Sequence, residues 1–201
     1  MKKKIIIFKN DRGGDLLNSI KPISSILNDN NDVTIFLSQY NFGFSFFFNK
    51  SIVKKINYDL NILNKIFLFF YILTNDFKIV YILTPKNFYY FLPFIFRKIK
   101  FYGITVNGFK RFRPNNYFRK FLEKYIIINR RQINQKSSSD LQLELIKDQN
   151  LIDSSYKNLQ HPNMENYILD NIPNEYLLIQ YKESFFKKIN LINEDFNLLL
   201  N

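Results

Sequence analysis

The chain has 201 residues, a length that fits one complete domain with part of a second. Hydrophobic residues make up 46% and charged residues 23%, so a core can form and a wholly disordered chain is excluded. No cysteine is present, which excludes disulfides and thiolate chemistry, and a single histidine, His161, argues against a zinc site.

The net charge of +12 is the other compositional signal. A surface this basic indicates an anionic partner, which could be nucleic acid, a phosphorylated glycan or lipid, or an acidic membrane surface. The same charge could also reflect an AT-rich genome, because the chain is rich in Lys, Asn, Ile, Phe and Tyr. Composition alone leaves both readings open.

The apolar stretches are short. Ile5–Phe8 is smaller than the roughly 7–15 residues of a signal-peptide core, so it is predicted to be a buried strand. The longest stretches, Ile66–Leu73 and Phe88–Phe96, fall below the ~20 residues that span a bilayer. We therefore expect a protein that is not integral to a membrane but can lie on its surface.

Apolar runs alternate with amphipathic stretches along the first 150 residues. The pattern predicts strands at 4–9, 32–38, 51–58, 77–84, 101–106 and 125–129, and helices at 15–27, 60–74, 87–97 and 137–149. A proline at position 22 is expected to kink or break the first helix. Residues 40–48 are predicted to be a short aromatic helix or loop, and 110–120 a basic, aromatic connection. This alternation predicts an α/β fold, a Rossmann-like, mainly parallel sheet with helices on both faces.

The loop after the first strand carries the clearest chemistry. It lacks the G-x-G-x-x-G of dinucleotide sites and the Lys-Ser/Thr pair of a P-loop. Gly13 and Gly14 would let the backbone turn sharply at the carboxyl end of a strand, where open α/β sheets bind ligands. Asp15 is then either a carboxylate that stabilises the helix N-terminus or a general base that accepts a hydroxyl proton.

The stretch Ile5–Pro22 resembles the opening of glycosyltransferase family 9, the heptosyltransferase family of lipopolysaccharide synthesis. An apolar strand is followed by Arg12-Gly13-Gly14-Asp15, and a proline follows the acid. Asp76–Leu83 is similar to the family's central strand, and Tyr176–Lys188 resembles the strand that opens its second domain.

That resemblance implies a GT-B glycosyltransferase, with two Rossmann-like domains facing across a cleft. The acceptor-side domain would be 1–152, the linker 153–175, and 176–201 the incomplete start of the nucleotide-sugar domain. The implied reaction passes a heptose-like sugar from an ADP-linked donor to an anionic, lipid-linked glycan, with inversion and without a metal or other cofactor. Family members are longer, so we expect a truncated chain whose cleft a second chain could complete.

The resemblance also implies roles for individual residues. Asp15 matches the position of the catalytic base. The acceptor-binding residues would be Arg12, Gly13, Gly14, Arg111 and Arg113, and the donor phosphates would contact Lys187 or Lys188. His161, in the predicted linker, is expected to be inert.

Two alternatives stay open beside this reading. A truncated acceptor domain could be a non-catalytic remnant or a binding module for anionic glycan or lipid. The basic, aromatic stretch 110–120 could instead bind nucleic acid through phosphate contacts and base stacking. No recognised nucleic-acid motif accompanies this stretch, so a nucleic-acid partner is not expected. The resemblance implies a cytoplasmic protein, with peripheral contact to the inner face of the cytoplasmic membrane.

Overall fold

The structure is a computed structural model that describes residues 2–11, 13–107, 113–129 and 138–147. Strands and helices alternate along this part of the chain. The strands are β1 Lys3–Lys9, β2 Asn31–Ser38, β3 Ile52–Ile56, β4 Ile79–Ile82, β5 Lys100–Asn107 and β6 Lys124–Asn129. The helices are α1 Gly13–Ser24, α2 Ile62–Thr74, α3 Asn87–Ile95, α4 Arg113–Phe118 and α5 Ser138–Lys147, with 3₁₀ helices at Phe42–Phe48 and Arg119–Phe121.

The six strands form one sheet in the order β3-β2-β1-β4-β5-β6, and every neighbouring pair is parallel. At its centre, Ile5 of β1 stands opposite Val33 of β2 and Ile79 of β4. The chain builds outward from β1 to one edge, then returns to β4 and builds toward the other edge. This is the strand order of a Rossmann fold, so the predicted α/β class is confirmed.

Each face of the sheet is covered by helices, which explains the continuous apolar strands. Ile5 and Ile7 of β1 pack on the face covered by α1 and α5, whereas Ile6 and Phe8 pack on the face covered by α2, α3 and the residues after α4. All four side chains are fully buried. At about 1.5–3 kcal/mol for each buried side chain of this size, this one strand stabilises both layers.

Three local predictions differ from the structure. The first helix begins at Gly13 and continues past Pro22 to Ser24, so the glycines belong to the helix rather than to a preceding turn. The fourth strand is limited to Ile79–Ile82.

The third difference is that the predicted connection 110–120 contains α4. Proline is tolerated in a helix's first turn, and here it is the second residue of α4. The Asn115 side chain also donates a hydrogen bond to the Pro85 carbonyl at 3.2 Å, which ties the helix to the β4–α3 loop. The predicted linker 153–175 and second domain 176–201 lie outside the described residues.

Gly103 in β5 gives a test of the packing. A Cβ atom there would lie 3.1 Å from the Tyr90 hydroxyl and 3.3 Å from Leu122 Cδ1. The Tyr90 hydroxyl is fixed by its buried hydrogen bond to the Ile104 carbonyl, so it cannot move freely. We expect Gly103→Ala to lower the free energy of unfolding by about 1 kcal/mol and the Tm by about 2–4 °C.

The matched control is Gly43→Ala, because an added Cβ at Gly43 has no neighbour within 4 Å. Its Tm should stay the same or rise slightly, since alanine restricts the unfolded chain. Equal losses of Tm in the two variants would contradict the close packing around Gly103.

Candidate active site

A cavity of about 520 Å³ lies at the carboxyl ends of the central strands. Its walls come from the loops after β1, β3 and β4, from the ends of β5 and β6, and from α5. This is the switch point of the sheet, where the connections from β1 and β4 diverge and open a crevice. The volume is within the range of small-molecule sites.

A buried ion pair forms the floor of this cavity. Lys9, the last residue of β1, is 2.5 Å from the carboxylate of Asp11 (Nζ to Oδ2), and both side chains are largely buried. Asn41 donates to the other Asp11 oxygen at 3.3 Å, and the Ser38 hydroxyl donates to the Asp11 carbonyl at 2.5 Å. These contacts fix the first turn of the loop after β1 against the end of β2.

The pKa of Asp11 is raised above its ordinary value. Burial is the main cause, because the charged carboxylate loses its water. Lys9 opposes the rise through its charge and hydrogen bond, while the negative charge of Asp15 adds to it. The two aspartates are therefore close enough to interact electrostatically.

Asp15 differs from Asp11 in its surroundings. It lies in the first turn of α1, is exposed, and lines the cavity. Its backbone carbonyl accepts a 3.3 Å hydrogen bond from the Ser19 hydroxyl, but no described side chain hydrogen-bonds its carboxylate. Asp11 is thus held by the protein, whereas the Asp15 carboxylate is accessible to a ligand.

A lysine on the opposite wall is the second cation of the site. Lys86, the residue before α3, donates a hydrogen bond to the Tyr58 carbonyl, and its Nζ lies 3.9 Å from the centre of the Tyr58 ring. Half-burial lowers the pKa of Lys86, and the charges of Asp59 and Asp11 partly restore it. The Asn10 amide also donates to the carbonyl of Asn57 at 3.3 Å, so the loops after β1, β3 and β4 are linked.

The far wall is polar as well. Ser138 and Gln142 of α5 line the cavity, and the Gln142 amide donates to the Ser138 hydroxyl at 3.1 Å. The buried Oε1 of Gln142 has no hydrogen-bond partner in the described part of the chain. A buried acceptor in a cavity wall is a position where a ligand hydroxyl or a water can bind.

The structure can be compared with the predicted site residue by residue. Asp15 lies in the cavity wall, and its role as a base stays a prediction. Gly13 and Gly14 are the first residues of α1, and Arg113 is the first residue of α4. The remaining predicted residues, which are Arg12, Arg111, Lys187, Lys188 and the expected inert His161, lie outside the described residues.

Sequence reasoning missed most of the residues that the fold brings together. They share one signal, since each stands at or just after the carboxyl end of a parallel strand: Lys9 and Asp11 after β1, Tyr58 and Asp59 after β3, and Thr84 and Lys86 after β4. That position alone could have singled them out. No group of three or more His, Cys, Asp or Glu side chains in the described ranges is placed to hold a metal ion.

A six-stranded parallel sheet with helices on both faces defines a Rossmann-like α/β domain, and a polar cavity lies at its switch point. Among solved structures, glycosyltransferases have a similar fold. A glycosyl transferase of family 9 from Veillonella parvula DSM 2008 is similar with a TM-score of 0.55 and 14% identity, over 76% of this chain and 43% of that one. No protein-family model matches the chain. No curated protein matches it either.

The heptosyltransferase WaaC of E. coli is also similar. With ADP-2-deoxy-2-fluoro heptose its TM-score is 0.55 at 11% identity, over 85% of this chain and 55% of WaaC. The structure of WaaC with ADP has a TM-score of 0.51 at 10% identity, over 72% of this chain and 46% of WaaC. The chain thus spans about half the length of the glycosyltransferases it resembles. At these identities the likeness confirms the fold, which is the GT-B type of α/β domain that the sequence predicts.

The buried pair predicts a pH-dependent stability effect. Lys9→Met leaves the Asp11 carboxylate buried without its cation, which should cost about 3–5 kcal/mol at pH 7. The pKa of Asp11 is already raised by burial, and it rises further without Lys9. The loss should therefore diminish as the pH falls and Asp11 becomes protonated, because a neutral carboxyl needs no partner. Urea unfolding at several pH values measures this.

The chain contains a matched control. Lys78 and Asp76 are also two residues apart and form a 2.6 Å ion pair, but their side chains are 58% and 69% exposed, against 3% and 14% for Lys9 and Asp11. Lys78→Met should leave stability unchanged, because an exposed pair is solvated in either state. Equal effects from the two substitutions would contradict the structural role of the buried pair.

Proposed function

We propose that this chain is the acceptor-side half of a glycosyltransferase that passes a sugar from a nucleotide-sugar donor to an acceptor hydroxyl. The observation that carries the proposal is the exposed Asp15 carboxylate at the mouth of the switch-point cavity, in a fold similar to that of heptosyltransferases. WaaC was solved with ADP and with an ADP-linked fluoro-heptose, which supports an ADP-linked donor here.

The proposed chemistry needs one carboxylate within reach of the acceptor. As the acceptor oxygen forms its bond to the anomeric carbon, Asp15 takes the hydroxyl proton and the bond to the nucleotide diphosphate breaks on the opposite side. This gives inversion without a metal. The departing diphosphate takes the negative charge, and cations or helix N-termini would have to stabilise it.

The two aspartates suit different tasks in this scheme. Asp11 is enclosed by Lys9 and Asn41, so it cannot reach a substrate without losing those contacts. Asp15 has no such partner among the described residues and stands at the helix N-terminus. We assign proton abstraction to Asp15 and the shaping of the cavity floor to the Lys9–Asp11 pair.

The remaining walls suit a hydroxyl-rich acceptor. Lys86 supplies a positive charge and Tyr58 an aromatic ring. Gln142 supplies an amide oxygen that has no hydrogen-bond partner among the described residues. An anionic, lipid-linked glycan of lipopolysaccharide type fits this combination. We place the enzyme in the cytoplasm, where nucleotide sugars are made, at the inner face of the cytoplasmic membrane.

Asp15→Asn tests the proposed base. The substitution keeps size and polarity but removes the proton acceptor, so transfer should fall by at least about 100-fold. The measurement is transfer of labelled sugar from an ADP-linked donor to a glycolipid acceptor.

The matched control is Asp140→Asn, because Asp140 is an exposed acid in the first turn of α5. Both substitutions remove a carboxylate from a helix N-terminus, so each should cost a similar ~0.3–1 kcal/mol of stability. If Asp15 serves only to stabilise its helix, the two variants will retain equal activity, and Asp15 is then not the base.

Donor binding is tested separately by thermal shift with ADP-, UDP-, GDP- and CMP-sugars. Stabilisation by the ADP-linked sugar, roughly 2.7 kcal/mol at 100 times its Kd, would mean that this chain also contributes to donor binding. Stabilisation by a different nucleotide would reassign the donor. No stabilisation by any of the four would restrict this chain to the acceptor side.

A further inference from the structure

The outer side of α2 is apolar, and no element within the described ranges covers it. Its inner side packs Leu68 and Ile72 into the core. Its outer side exposes six large apolar side chains, at Ile62, Leu63, Ile66, Phe67, Phe70 and Leu73. At 100° per residue these six fall within one continuous arc of the helix. A helix that is apolar all round is expected to be covered on every side.

The neighbouring helices extend this surface. Phe91, Phe94 and Ile95 of α3 are exposed on the same side of the sheet. Aromatic contacts make the surface continuous. The ring centre of Phe69 in α2 lies 5.3 Å from that of Phe96, which follows α3. The ring centre of Phe94 in α3 lies 5.3 Å from that of Phe121, which follows α4. We call the exposed apolar side chains of α2 and α3 the outer apolar face.

The sequence segment that contains α2 and α3 is strongly basic. Residues 62–121 contain eleven Lys and Arg and one acidic residue, Asp76, so they contribute +10 of the chain's net +12. Several of these cations lie against the aromatic rings. The Arg97 guanidinium is 5.6 Å from the Phe94 ring centre, and Lys120 Nζ is 4.6 Å from that of Tyr117.

We propose that the outer apolar face is a docking surface for an anionic lipid membrane. Aromatic and aliphatic side chains would enter the boundary between headgroups and acyl chains, while the surrounding Lys and Arg contact lipid phosphates. Long basic side chains suit this arrangement, because their stems cover apolar surface and their charges reach the headgroups. None of the described helices is long and apolar enough to cross a bilayer.

The composition of the face favours lipid over other occupants. A second copy of this chain would bring two strongly positive surfaces together, which electrostatic repulsion opposes. A nucleic acid would satisfy the cations and could stack on Phe70 or Phe94, but it offers no apolar phase to exposed aliphatic residues such as Ile62, Leu63 and Leu73. An anionic bilayer matches both the charge and the aliphatic content.

The docked orientation would place the candidate active site beside the lipid. Tyr58 and Asp59 precede α2 and Lys86 precedes α3, and all three line the cavity. A lipid-borne acceptor could then reach the cavity without leaving the membrane. The docking proposal does not rest on the proposed function, because exposure and charge alone carry it.

The chain has no tryptophan, so a single introduced one reports its own surroundings. Phe70→Trp places it on the outer apolar face, where Phe70 is 56% exposed. Leu17→Trp is the control, because Leu17 is 57% exposed on α1, on the opposite face of the sheet. With phosphatidylglycerol vesicles that carry brominated acyl chains, we expect a blue shift and at least twofold quenching for Phe70→Trp, and neither for Leu17→Trp.

Charge variants test the lipid specificity. Arg97→Glu combined with Lys98→Glu should weaken co-sedimentation with anionic vesicles at least tenfold, since each basic residue near the surface contributes about fivefold. Lys2→Glu combined with Lys50→Glu changes the net charge equally, away from the face, and should have a much smaller effect. Binding should also be weak to pure phosphatidylcholine.

Three results would overturn the proposal. The first is an unquenched Phe70→Trp, and the second is equal weakening by the two charge-reversal pairs. The third is a dimer of the full chain that becomes a monomer when Leu63, Phe70 and Leu73 are changed to Gln, with circular dichroism unchanged, because a second copy would then cover the face. These assays contain no sugar donor or acceptor, so their failure would leave the Asp15 experiment unaffected.

Discussion

The complete burial of β1 is the constraint on which the rest of the structure depends. Its four central side chains, Ile5 to Phe8, alternate between two cores, so helices must cover both faces of the sheet. The next residue, Lys9, is also buried, and its charge is tolerated only because Asp11 lies 2.5 Å away. The strand that organises the core therefore also places a charged pair at the switch point. The burial of β1 thus determines both the core and the floor of the candidate site.

The fold could be predicted from the sequence because its main signals are local. Each parallel strand is a short apolar run, and each helix has its own periodicity, so neither needs knowledge of distant residues. α4 was missed for the opposite reason. Its composition is basic and polar, and a hydrogen bond from Asn115 to Pro85, thirty residues away, helps to hold it. No pattern within 110–120 contains that contact.

The site was predictable only where its signal is local. Asp15 follows two glycines at the end of a strand, and that combination can be read from adjacent residues. Lys86 and Tyr58 are 28 residues apart, and their contact exists only because β3 and β4 end at the same edge of the sheet. No local pattern in the sequence indicates that Asp11 is buried. Its burial depends on Asn41 and Ser38, which arrive from β2 and the turn after it.

The distribution of charge bears on whether the basic character is functional or merely compositional. A genome that favours lysine codons would raise Lys along the whole chain and would not remove acids from one part of it. Outside residues 62–121 the chain carries 18 basic and 16 acidic residues, so it is nearly balanced. Inside that range one acid remains against eleven bases, and α2 and α3, which expose the outer apolar face, lie within it and contain no acid. Coincidence of acid depletion with exposed apolar surface is what contact with an anionic membrane requires, and codon bias does not produce it.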